Sequence, residues 1–153
     1  MALKTYRDLE VWQRAVDLVV EVYRLTKVFP SEERFGLTSQ SRRASVSIPA
    51  NIAEGYGRTH RGDYLRHLSM ARGSLTELET HLTIAVRLDF ITRDQAMDTW
   101  NLCQEVGRML NKLIRSLEQR STPRRQDPGP RTPNPEPLPP AGMESADQAD
   151  EAQ

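Results

Sequence analysis

The residues best suited to chemistry in this sequence are arginines, which recur between residues 42 and 72. A planar guanidinium group donates several hydrogen bonds in a fork that matches a phosphate group. The arginines therefore predict contacts with the phosphates of RNA or DNA, unless they pair instead with nearby carboxylates such as Glu54, Asp63, Glu77 and Glu79. The candidate nucleic-acid-binding residues are Arg42, Arg43, Arg58, Arg61, Arg66 and Arg72.

Cleavage of RNA is a second chemistry to consider, because Arg61 and His67 have the arginine–histidine spacing of HEPN-type helical ribonucleases. Such a loose spacing occurs by chance in an arginine-rich helical protein, and Arg61 falls in a predicted polar loop, Arg58 to Gly62. We therefore predict no catalytic residue. A ribonuclease that uses Arg61 and His67 stays open as an alternative.

Neither a metal site nor a platform for stacking nucleobases is indicated. His67 and His81 would lie about 21 Å apart along one helix, too far for a shared ion. The paired Glu-x-x-His motifs of di-iron bundles are absent from the sequence. Tyr56 and Tyr64 are the aromatic residues nearest the basic cluster, which is too few for single-strand stacking. We predict no cofactor.

Proline and charge divide the chain into two parts. The 21 basic and 21 acidic side chains cancel, but residues 122–153 carry −3 and the rest +3. That segment also holds eight of the 10 prolines and few large apolar residues. It cannot bury enough surface to offset its ordering entropy. We predict one domain at 1–121 and a disordered, proline-rich tail at 122–153, whose PxxP matches are too degenerate to indicate a ligand.

The compartment follows from cysteine usage and hydropathy. Cys103 is the only cysteine, which excludes an intrachain disulfide and fits a reducing environment. Residues 1–12 lack the apolar segment of a signal peptide, and no later stretch could span a bilayer. The prediction is a cytoplasmic protein without a membrane partner.

Four helices must position these side chains, because apolar residues recur at spacings of three and four from residue 9 to 117. Ser31 and Asp63 are expected to cap the second and third helices, and Thr92 with Gln95 forms a capping box for the fourth. Pro49 removes a backbone donor, so it should kink or split the second helix. The predicted fold is an all-α, antiparallel, up-and-down four-helix bundle.

The first and fourth helices each carry two adjacent apolar rows, which is more than one bundle seam needs. We expect one row to face the core of the bundle and the other to face neighbouring copies. Gly73 and Gly107 lie inside helices, where glycine costs about 1 kcal/mol relative to alanine. Close helix crossings would explain both positions.

Several motifs resemble one bacterial family, the four helix bundle proteins encoded in intervening sequences of 23S ribosomal RNA genes. The matching segments within residues 4–118 are Asp8–Trp12, Gln40–Ala44, Ser47–Gly55 with Arg58, and Ala71–Glu77. The resemblance implies antiparallel bundles that assemble as ring-shaped homopentamers. A distant relative, the accessory variability protein of diversity-generating retroelements, forms a basic pentameric barrel that binds nucleic acid and a reverse transcriptase.

The motif residues are expected to form packing or interface contacts, since polar groups among small, apolar neighbours need hydrogen-bond partners. They are Gln40, Arg43, Ser47, Asn51, Glu54, Gly55, Gly73, Ser74 and Glu77. The predicted function is a non-enzymatic, homo-oligomeric scaffold, pentameric by the resemblance, that binds nucleic acid or a partner such as a reverse transcriptase. A protein–protein adaptor with no nucleic-acid role is the other alternative.

Overall fold

The computed structural model describes residues 3–120, which form four α-helices and two short 3₁₀ helices. The tail predicted at 122–153 lies outside the described residues. The α-helices are α1 (Glu10–Thr26), α2 (Leu37–Tyr56), α3 (Arg61–Arg87) and α4 (Arg93–Arg120). The 3₁₀ helices, Tyr6–Asp8 and Ser31–Phe35, precede α1 and α2. No strand occurs between residues 3 and 120, so the all-α prediction is confirmed.

The helices pack as a square in which the backbone of each approaches two neighbours. α1 and α3 both lie against α2 and α4, and the backbones of diagonally opposite helices stay further apart in the described part of the chain. Asn51 meets His67, whereas the earlier Ser47 meets the later Ser74, so α2 and α3 run antiparallel. This arrangement agrees with the predicted antiparallel bundle.

Apolar rows supply the core as their spacing predicts. The row of α3 from Leu68 to Ala85 is buried, and on α1 the row from Val11 to Val22 is buried as well. A bidentate salt bridge joins the first and last helices at the rim of this core. The Arg14 guanidinium donates to both carboxylate oxygens of Glu105, at 3.1 and 2.6 Å, and lowers the pKa of that carboxyl.

The second apolar rows of α1 and α4 are placed differently. On α4, Val106 is fully buried, and Met109 and Leu113 pack against the main core. The prediction that one apolar row of α4 faces outward is therefore wrong, because both rows pack against the bundle that α4 forms with α1 and α3. On α1 the second row is partly open, and Tyr23 stays 41% exposed.

Two helix starts differ from the prediction. Ser31 begins a 3₁₀ helix rather than capping α2, because the Glu33 carboxylate accepts from the backbone amide of Leu37, at 2.8 Å, where α2 begins. α3 begins at Arg61, so this arginine is helical. Asp63 lies in the first turn, where the helix dipole stabilises its negative charge.

The capping box predicted for α4 is confirmed. The Thr92 hydroxyl accepts from the amide of Gln95, at 3.1 Å, and the Gln95 side chain accepts from the amide of Thr92, at 2.8 Å. α2 continues through buried Pro49 as one helix and is not split. None of the described helices is long and apolar enough to cross a membrane.

Candidate nucleic-acid interface

Hydrogen bonds between motif residues tie α2 to α3. The Asn51 amide donates to the carbonyl and hydroxyl oxygens of Ser47, at 2.9 and 3.0 Å, and its oxygen accepts from Nδ1 of His67, at 3.2 Å. The Ser47 and Ser74 hydroxyls share a further bond of 2.9 Å. These contacts lie at the crossing of the two helices, where a polar group needs a partner from the facing helix.

The glycines differ in what surrounds them. A Cβ added at Gly55 would lie 2.7 Å from the Cβ of His67, so this glycine permits the close approach of α2 and α3. A Cβ at Gly107 would lie 3.3 Å from a methyl group of Leu75. A Cβ at Gly73 would meet no described atom within 4 Å. A close crossing inside the subunit therefore does not explain Gly73.

Four motif residues face outward instead of joining the network. Glu54 forms a salt bridge of 2.8 Å with Arg58, one turn later. Gln40, Arg43 and Glu77 are exposed and line a surface cavity of about 490 Å³ between α2 and α3. The motif thus combines an internal hydrogen-bond network with an open polar surface.

Two histidines on α3 are buried against the bundle. Burial lowers the pKa of His81, and the nearby Glu77 carboxylate, 3.6 Å from Nε2, acts in the opposite direction. Nε2 of His67 and Nδ1 of His81 find no hydrogen-bond partner among the described residues. Within residues 3–120 no three potential metal-binding side chains come together.

Arg61 and His67 do not share a site. Six residues along an α-helix place their side chains about 120° apart around the axis. Arg61 is exposed at the start of α3, whereas the His67 ring is buried and bonded to Asn51. This geometry disfavours the ribonuclease alternative, since a general acid or base must reach the substrate.

Three of the six candidate arginines are bonded within the subunit. Arg58 pairs with Glu54, and Arg72 donates to Asn111 of α4, at 3.3 Å. Arg42 donates to a threonine hydroxyl of α1 and lies over a tyrosine ring of that helix. Their guanidinium groups already have partners, so they are less available to phosphates than an arginine without any.

The other three arginines are exposed and form no salt bridge with a described carboxylate. Arg61 and Arg66 lie near the start of α3, close to the loop that follows α2. Arg43 lies 13 residues before the end of α2 at Tyr56, which corresponds to about 20 Å along the helix axis, and Arg58 follows that end. The six arginines therefore do not form one patch.

Charge is distributed unevenly between the two ends of the bundle. We call residues 3–13, 47–73 and 106–120 the basic end; they include ten basic and five acidic side chains, a net +5. The remaining described residues include eight basic and ten acidic side chains, a net −2. The three segments share one end because Tyr56 donates to the carbonyl oxygen of Leu3 and Arg72 donates to Asn111.

Four of the ten basic side chains of the basic end lie on α4, outside the candidate arginines that the sequence indicates. Only Glu118 opposes them in the last 15 residues of the helix. This run of like charge is visible in the sequence, but its place beside the start of α3 is not. The four residues are Arg108, Lys112, Arg115 and Arg120.

Comparison with known proteins gives the same family as the motifs. The model of the 23S rRNA-intervening sequence protein family matches residues 7–112. A solved structure, a protein of unknown function from the S23 ribosomal protein family of Bacteroides thetaiotaomicron, is 28% identical, with a TM-score of 0.64. The match covers 68% of this chain and 97% of that one. No curated protein matches the sequence. The chain belongs to the 23S rRNA-intervening sequence protein family.

Proposed function

We propose that this protein is a non-enzymatic, homo-oligomeric scaffold that binds structured RNA through its basic end. The charge difference between the two halves, +5 against −2, carries the proposal. A polyanion is attracted to the positive end, and each neutralised phosphate releases condensed counterions. Arg61 and Arg66 are suited to such contacts, since both are exposed and neither pairs with a described carboxylate.

The exposed arginines of the basic end are better suited to binding helical RNA than to reading a particular base sequence. The deep, narrow major groove of A-form RNA does not admit an α-helix, so proteins recognise duplex RNA through phosphates and 2′-hydroxyl groups. Exposed arginines at the ends of packed helices supply contacts of that kind. The family description, which refers to ribosomal RNA, agrees with RNA as the ligand.

Self-association is favoured by an outward face on α3. A helical glycine costs about 1 kcal/mol relative to alanine, and a Cβ at Gly73 would meet no atom of the described residues within 4 Å. Met70 and Ile84, on the same outer side, are 51% and 40% exposed. A second copy packed here would cover these side chains. A closed ring, pentameric in our proposal, would then repeat the basic end in every subunit.

The binding test compares two triple variants in a fluorescence anisotropy titration with an RNA hairpin at several salt concentrations. Replacing Arg61, Arg66 and Arg115 with alanine should weaken binding, and the slope of log K against log salt should become shallower by about one for each phosphate that is no longer neutralised. The matched control replaces Arg24, Arg87 and Arg93 at the other end. An equal weakening in the two variants, or no affinity of the unmodified protein at low salt, would contradict the proposal and favour an adaptor.

Two further measurements test the remaining parts. Light scattering should give five times the 17.4 kDa of the chain, and a strictly monomeric mass would remove the ring. Gel analysis of the RNA after incubation should give an intact strand. A cleavage product that disappears in His67→Ala would restore the ribonuclease alternative instead.

A further inference from the structure

An open cleft of about 620 Å³ lies between α1 and the first half of α2, and Ser47 is the one residue of its lining that belongs to the basic end. We call it the arginine–aromatic cleft. Three arginines and two aromatic residues contribute to its lining, together with serine, threonine and valine side chains, and none of the acidic residues between 3 and 120 lines it. The defining residues are Tyr23, Arg34, Phe35, Arg42 and Arg43.

Phe35 is the most unusual residue of the cleft, because 87% of its surface is exposed. Its 3₁₀ helix contains no buried residue. Phe29, six residues earlier, is only 7% exposed and packs against Phe90 at a ring distance of 5.9 Å. Burial of apolar surface stabilises a fold by about 25 cal/mol per Å². Phe35 contributes little to folding by this measure, so its ring surface remains available to a ligand.

Two positive groups belong to the surroundings of this ring. The Arg34 guanidinium lies 5.4 Å from the centre of the Phe35 ring. Arg43 is exposed, lines the cleft and forms no salt bridge with a described residue. Phosphate groups on either side of a base stacked on the ring could therefore be neutralised without breaking an internal ion pair.

Arg42 lines the cleft and is held in place by contacts with α1. Its Nε donates to the hydroxyl oxygen of Thr26, at 2.9 Å, and its guanidinium lies 4.6 Å from the centre of the Tyr23 ring. The Thr26 hydroxyl in turn donates to the carbonyl oxygen of Val22, at 2.7 Å. These contacts hold a positive charge at the cleft before any ligand arrives, which reduces the ordering cost of binding.

We propose that the arginine–aromatic cleft binds an unpaired nucleotide of single-stranded RNA. The base stacks on Phe35, and Arg34 and Arg43 contact the flanking phosphates. Aromatic stacking combined with positive charge is the usual recognition chemistry for single strands, because every base has a π-face and every linkage a phosphate. The inference rests on the proposed function only in taking RNA as the ligand.

Near the basic cluster the sequence offers only Tyr56 and Tyr64 as aromatic residues, so it does not predict a stacking platform. Those rings pack edge to face at 6.1 Å, and burial raises the pKa of Tyr64 to about 12. They belong to the bundle and are not a free surface. Folding instead brings Tyr23 of α1 beside the arginines of α2, from 19 residues away in the case of Arg42.

The test titrates fluorescently labelled oligoadenylate, a short single strand, against the full-length protein. Phe35→Ala and Phe35→Leu should each weaken binding about 5-fold to 150-fold, whereas Phe35→Trp, which keeps an aromatic face, should bind as tightly as the unmodified protein. Arg43→Gln should make the slope of log K against log salt shallower by about 0.7, the value for one phosphate contact of a single strand. The matched control, Leu88→Ala, removes an apolar side chain that is 55% exposed outside the cleft and should leave binding unchanged.

The comparison of leucine with alanine distinguishes stacking from simple apolar docking. If Phe35→Leu binds the single strand normally, stacking is excluded and the proposal is overturned. It is also overturned if Phe35→Ala lowers the oligomer mass in light scattering while RNA affinity stays unchanged. In that case Phe35 is a contact between copies of the chain.

A blunt RNA duplex separates this inference from the proposed function. Phe35→Ala should leave binding to a long duplex nearly unchanged, because its internal bases already stack on their neighbours and expose no face to the ring. If the triple variant at the basic end keeps normal duplex affinity while Phe35→Ala fails to bind the single strand, the cleft stands and the basic end does not. The reverse pattern refutes the cleft alone.

Discussion

Replacing Gly55 with alanine should destabilise the bundle, although alanine is the better helix former. Gly55 lies in the last turn of α2, and a Cβ there would come within 2.7 Å of the Cβ of His67 and 3.0 Å of the Tyr64 ring. The Cβ of His67 is attached to the backbone, so the overlap cannot be relieved by turning a flexible side chain. α2 and α3 would have to separate.

The expected destabilisation is the sum of two unfavourable contributions and one favourable contribution to the free energy of folding. Forcing an extra methyl group into a packed contact costs typically about 1–3 kcal/mol. Moving His67 also weakens its 3.2 Å hydrogen bond with Asn51, worth about 1 kcal/mol. The higher helix propensity of alanine returns at most about 1 kcal/mol near a helix end. The net destabilisation should therefore be about 2 kcal/mol.

Urea unfolding followed by circular dichroism measures this change as a shift of the midpoint at constant slope. The matched control is Gly62→Ala in α3, where an added Cβ meets no described atom within 4 Å. It should be neutral or slightly stabilising. If the two variants unfold at the same urea concentration, a Cβ at position 55 does not force α2 and α3 apart, and the reasoning is refuted.

Three other outcomes are expected. Asn51→Leu should cost about 2 kcal/mol, because it breaks three hydrogen bonds and leaves Nδ1 of His67 unpaired; an unchanged urea midpoint would count against the network. Burial lowers the pKa of His81 below 6.5, so the unfolded chain takes up a proton first, and stability should be full above pH 6.5 and fall below it. His81→Leu should flatten that dependence between about pH 7.5 and 5.5, and an unaltered slope would refute the assignment. Burial raises the pKa of Cys103 to about 12, so mass spectrometry should find no iodoacetamide adduct at about pH 8 until urea is added.

Helix content and the inward faces of the helices could be predicted because both depend on local spacing. The row from Leu68 to Ala85 has the period of a helix, and the structure buries it. The capping box at Thr92 and Gln95 is equally local, since its two hydrogen bonds join residues three apart. No information from other helices is needed for either prediction.

Predictions failed where a more distant group decided the outcome. Serine is a residue that often caps a helix, which is why the sequence predicts that Ser31 caps α2. The Glu33 carboxylate instead accepts from the amide of Leu37, and α2 starts there. Two apolar rows on α4 predicted one inner and one outer face, yet the square packing buries Val106 and partly buries Met109 against the core. How wide an apolar face must be depends on the neighbouring helices.

The sequence by itself determined four amphipathic helices, the family and an arginine-rich middle, because periodicity, motifs and composition are properties of the chain. Only the tertiary structure decided which charges and rings come together. It joins Arg14 to Glu105 across 91 residues, collects the basic end from three segments, and places Arg42 over the Tyr23 ring. Such contacts depend on how helices cross and on which side chains fill the space between them, and no local pattern encodes those distances.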